Sequence, residues 1–255
     1  MNRIYMRLIW KSIKRILPAW LISSVVYTLV LFFSVYSSNH TSLIMYPIQP
    51  YIYGSEPVDL FFPLFTTLPF VWPVFFLRIN NFLEYVSLRI KPGRYIAYQA
   101  SASLILCFFM VFLVNITGVL FSLLIANTVN NVQGPSLAGY ILGEMQMMNP
   151  VHFGLLWSFY KAIIGLLICT LGLILAYYVK NMFLMFLAPF TVIFLENFLT
   201  AITGLARYSF TTTFVLNRLD SSVMLPKNLL IGIYMFIILT FAVQRILARY
   251  EHQNN

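Results

Sequence analysis

Charge is the scarcest ingredient of this sequence. Asp, Glu, Lys and Arg make up 9% of its 255 residues, where an ordinary globular domain carries about 25%. Apolar residues make up 60%, and the mean hydropathy is +0.84. A water-soluble fold of this length leaves about a quarter of its chain surface in solvent, and this composition has too little polar surface to cover it. An ordinary cytosolic enzyme and a disordered chain are therefore excluded, and an integral membrane protein is indicated. Cysteine is nearly absent too. Cys107 and Cys169 lie in long apolar runs without a CxxC partner, which excludes a disulfide-rich secreted scaffold and reads as two small buried hydrophobes.

Signatures of chemistry are equally sparse. There is no GxxxxGK[ST], so the chain has no phosphate loop of its own, and HExxH, GxSxG and GxGxxG are missing. His40, His152 and His252 scatter over loops and the tail and set no zinc spacing. Of the seven acids, only Glu196 falls deep inside an apolar run, and one carboxylate without a partner base does not make an intramembrane protease. We expect a non-enzymatic chain that binds no metal and no cofactor itself.

What the sequence has in abundance is long apolar runs. A bilayer core of about 30 Å needs roughly 20 apolar residues per helix. Six segments qualify, at about 16–38, 60–77, 98–126, 153–179, 182–206 and 228–247. They are apolar on all faces, whereas barrel strands are about ten residues long and alternate with polar ones. The expectation is an all-α membrane protein in which residues 1–255 form a single transmembrane domain. Residues 1–15 combine Ile4, Leu8 and Ile9 at helical spacing with Arg3, Arg7, Lys11, Lys14 and Arg15. One reading is an amphipathic helix lying in the interface against anionic headgroups; the other is a basic flank that only sets topology.

The net charge of +9 follows from topology. With the N-terminus in the cytoplasm, 12 of the 16 Lys and Arg residues fall on the inner side, the bias expected of cytoplasmic loops. Six spans return the C-terminus to the same side, and no nucleic-acid partner is needed. Three connections then face outward, at 39–59, 127–152 and 207–227, and their aromatic and Met residues fit segments on or dipping into the outer interface. The inner turn Lys180-Asn181 joins the fourth and fifth spans as a tight hairpin.

Two charges stand within spans, Lys161 and Glu196. Lys161 is 19 residues before Lys180, and Glu196 is 15 residues after Asn181. The offset of about four residues is roughly 6 Å along the axis, which predicts a Glu196–Lys161 contact. Such a pair would line a cargo path or relay, or be structural. Pro63, Pro69 and Pro73 each remove a backbone donor from the second span.

The inner segment RINNFLEYVSLRIKPGRYIAYQ, Arg78 to Gln99, is the most polar long stretch between spans. Leu83, Val86 and Ile90 make one apolar stripe of a short helix, Glu84, Arg89 and Lys91 lie off it, and Pro92-Gly93 stops it. An acid after the second span, a short helix, then Pro-x-Arg-Tyr leading into the third span resembles the permease subunits of type-2 ABC exporters. Glu84, Leu88, Pro92, Arg94 and Tyr95 match; Tyr85-Val86-Ser87 replaces the family's usual Gly-containing step, and Gln99 replaces its common closing lysine. The resemblance implies a cytoplasmic coupling helix that seats in a separate ATP-binding subunit through Glu84, Leu88, Arg89, Pro92 and Arg94. It also implies a second permease chain, ATP and Mg bound on the partner, a bacterial cell membrane, and an amphiphilic cargo such as a peptide, lipid or drug. The rival readings are an accessory membrane protein, for immunity or sensing, and an ion-coupled secondary transporter using Glu196 and Lys161.

Overall fold

A chain segment in hydrocarbon must satisfy its own backbone hydrogen bonds, and a helix does so without neighbours. Among the residues described by the computed structural model, 2–42, 44–80, 82, 91–127, 140–216 and 226–253, every regular element is accordingly helical. We number them α1 (Asn2–Thr41), α2 (Gln49–Asp59), α3 (Phe62–Ile79), α4 (Pro92–Ile125), α5 (Gly143–Met148), α6 (Pro150–Tyr178), α7 (Met182–Ile202), α8 (Thr211–Phe214) and α9 (Pro226–Gln253). A short 3-10 turn, Ala206–Tyr208, precedes α8. Six of these helices, α1, α3, α4, α6, α7 and α9, are long and apolar enough to cross a membrane.

The helix ends follow local chemistry. Pro92 and Pro150 open α4 and α6, where a missing N–H costs nothing. Asn181 caps α7, its Oδ1 accepting from the N–H groups of Phe183 and Leu184 at 2.9 and 3.2 Å, which explains the tight turn at Lys180-Asn181. At the other end of α7, Gly204 adopts φ +72°. Leu205 N–H donates to Thr200 O at 2.8 Å and Gly204 N–H to Ala201 O at 3.2 Å, the paired bonds of a Schellman turn. That turn sends the chain back along α7.

Residues 1–15, read from sequence either as an interfacial helix or as a basic flank, form no separate element. α1 runs without interruption from Asn2 to Thr41. The reason lies in what its first turns bury: Ile16 is fully covered, Ile9 and Ile13 pack on the core, and Ser12 Oγ–H donates to Gln99 Oε1 of α4 at 2.7 Å. Arg7, Lys11, Lys14 and Arg15 are exposed on the remaining face.

The core sits between α1, α3, α4 and α6, with α4 packed most extensively on α6 and α1. Glycines permit the closest approaches. A Cβ on Gly54 of α2 would lie 2.6 Å from Val35 Cα of α1, and one on Gly172 of α6 would lie 2.9 Å from Val71 Cγ1 and Thr67 Cγ2 of α3. α2 occupies the connection read from sequence as an outer loop. It lies against α1, and Tyr51 binds it to α4: its O–H donates to Asn115 Oδ1 at 2.7 Å and its N–H to Ser122 Oγ at 3.1 Å.

Candidate functional site

The polar centre of the molecule is built where α2 ends. Asp59 closes that helix, and Lys161 stands three turns into α6. The Lys161 ammonium donates to both Asp59 oxygens at 2.7 Å, with the two side chains 0% and 1% exposed. The rings of Tyr51 and Phe62 lie 5.9 and 6.0 Å from Lys161 Nζ, within cation–π range. Burial pushes the Asp59 carboxyl above the ordinary range, against the opposing pull of Lys161. Removing two charges from water is costly, and such a pair holds only because each charge satisfies the other.

This corrects the expected Glu196–Lys161 contact. Counting from the hairpin set the height of the two residues along their axes but not the direction each faces. Lys161 turns toward α2 and α3. Glu196 faces the returning chain: Oε2 accepts from Ser209 Oγ–H and Oε1 from Phe210 N–H, each at 3.0 Å. The Gly204 turn makes this possible by bringing residues 209–210 back beside residue 196. Asp59 ends the connection 39–59, and only two sequence signals point to it: a lysine in an apolar run needs a counter-charge, and the sequence offers few acids.

Glu196 also borders a crevice of about 350 Å³ between α7, the 3-10 turn and α9, lined by apolar side chains including Leu205, Phe210, Met235 and Phe236. A second, small cavity of about 20 Å³ adjoins the ion pair. Asp59, Asn197 and Thr211 supply its polar groups, and Pro63, Ile193 and Phe214 are among its apolar ones.

At the other ends of α3 and α6, Arg78 donates to the Tyr177 carbonyl and stacks over the Tyr177 ring at 5.3 Å. The segment singled out for coupling begins just beyond. Glu84, Leu88 and Arg89 lie outside the described residues. Pro92 opens α4, and Lys91 and Arg94 are exposed beside it, Arg94 N–H donating to Lys91 O at 2.9 Å. Cys107 and Cys169 are both buried. No group of three or more His, Cys, Asp and Glu side chains among the described residues is placed to hold a metal. No family model, curated protein or solved structure matches the chain.

Proposed function

We propose that this chain is the membrane-spanning permease subunit of an ATP-driven ABC exporter of type 2. It pairs with a second permease chain, and a separate subunit binds and hydrolyses ATP with Mg. The observation that carries the reading is the segment from Arg78 to Arg94. It joins the second and third of six apolar helices, combines charge with an apolar stripe, and ends in Pro92-Gly93-Arg94, with Tyr95 next and exposed Lys91 and Arg94 at the mouth of α4. In this reading Glu84, Leu88, Arg89, Pro92 and Arg94 dock the ATP-binding subunit. The packing of α3 on both α4 and α6 then supports transmission of its movement into the bundle. The termini and this segment face the cytoplasm of a bacterial cell, and the cargo is an amphiphile.

Co-purification from the native membrane tests the proposal. An ATP-binding subunit should be retained with the wild-type chain and lost on combined charge reversal at Glu84, Arg89 and Arg94. Retention by the reversed variant would show that the docking site is elsewhere. Absence of any ATP-binding subunit would favour the accessory-protein reading.

A further inference from the structure

The small cavity beside Asp59 is walled by three separate parts of the chain: the end of α2, the body of α7 through Asn197, and the start of α8 through Thr211. Three adjacent threonines on α8 behave differently. Thr212 and Thr213 turn their hydroxyls to the backbone, donating to Ser209 O and Phe210 O at 2.6 Å each. Thr211, only 4% exposed, does not; its Oγ1 makes no hydrogen bond among the described residues, and the residue lines the cavity. A buried hydroxyl without a partner is destabilising, so a partner in the cavity is favoured. Asp59 presents the complementary need. Lys161 reaches both of its oxygens, but a carboxylate offers about four acceptor sites.

We infer that this cavity is a binding site for one ordered water molecule, which donates to Asp59 and hydrogen-bonds the Thr211 hydroxyl. Its volume of about 20 Å³ exceeds the roughly 10–15 Å³ that a single water requires. A metal cation is disfavoured, because Lys161 already neutralises Asp59 and a second positive charge would be buried without a counter-charge. An apolar occupant would leave Thr211 unsatisfied. The water also has a structural consequence. It joins the buried ion pair to α8. This inference stands apart from the exporter reading, since it requires no partner chain.

The test is a crystal structure of the full chain at a resolution that shows ordered solvent, for the wild type, Thr211→Ser and Thr211→Val. The wild type and Thr211→Ser should show one solvent peak within hydrogen-bond distance of Asp59 and residue 211, and Thr211→Val should lose it. Amide hydrogen exchange in lipid nanodiscs gives a second reading. Loss of one such bond, worth about 1 kcal/mol, should speed exchange in α8 about fivefold in Thr211→Val relative to Thr211→Ser. A wild-type cavity without a solvent peak overturns the inference. So does a peak coordinated by oxygens alone at metal distances, or one unchanged in Thr211→Val. Should Thr211→Val fail to fold, the wild-type and Thr211→Ser structures still decide it.

Discussion

α3 and α6 differ from α7 and α9 in a way that hydropathy does not register. The most apolar stretches of the first pair average 1.5 and 2.2 on the hydropathy scale, and those of the second pair 1.9 and 2.1. Yet 61% of the stretch is buried in both α3 and α6, against 17% in α7 and 11% in α9. Lipid tails are as apolar as leucine, so apolarity alone gives a helix no reason to choose protein over lipid. Small and polar residues do. α3 and α6 carry Thr66, Thr67, Ser158, Lys161, Gly165 and Gly172 on their buried sides. α7 and α9 present Phe183, Phe198, Tyr234, Ile238 and Phe241 outward.

The comparison breaks most visibly at its charged joint. Lys161→Met should strand the Asp59 carboxylate in a buried site and cost about 3–5 kcal/mol, read as a large drop in the unfolding midpoint in detergent. Adding Asp59→Asn should recover much of that loss; equal instability of the single and double variants would mean that the pair is not the joint. Next in size, Gly54→Ala places a methyl against the α1 backbone, and overpacking of this kind costs about 1–3 kcal/mol. A midpoint unchanged from wild type would show that α2 does not approach α1 so closely. Glu196→Gln keeps the shape but removes the charge that accepts from Ser209 and Phe210. A loss of about 1 kcal/mol is expected, with faster amide exchange confined to residues 205–214. The smallest effect belongs to the outward faces. Phe198→Ala and Ile238→Ala should stay within about 0.5 kcal/mol of wild type. A loss of several times that in the purified chain would show that these faces are packed rather than open to lipid.

How much was legible in advance varied with the range of the interaction. Six apolar helices could be read because a run of apolar residues reports its own need for a bilayer. The tight turn at Lys180-Asn181 was legible for the same local reason, whereas Pro92-Gly93 reads from sequence as the stop of a preceding helix and the structure has Pro92 opening α4. The partner of Lys161 was not. Its height along α6 followed from residue counting, but the choice between Glu196 and Asp59 depends on rotation about the helix axis. It also depends on α2 folding back beside α6, and no stripe in 49–59 announced that. Glu196 stands out in sequence as a charge in an apolar run, but Ser209 and Phe210 reach it only through the left-handed turn at Gly204.

The sequence by itself determined that the regular elements among the described residues are helical, six of them able to cross a membrane, because each such helix satisfies its backbone hydrogen bonds within its own length. Only the tertiary structure decided which of those helices lie inside, which acid answers Lys161, and what Glu196 holds. Those outcomes rest on contacts between residues 13 to 102 positions apart, where the direction a side chain faces, and not its hydropathy, selects the partner.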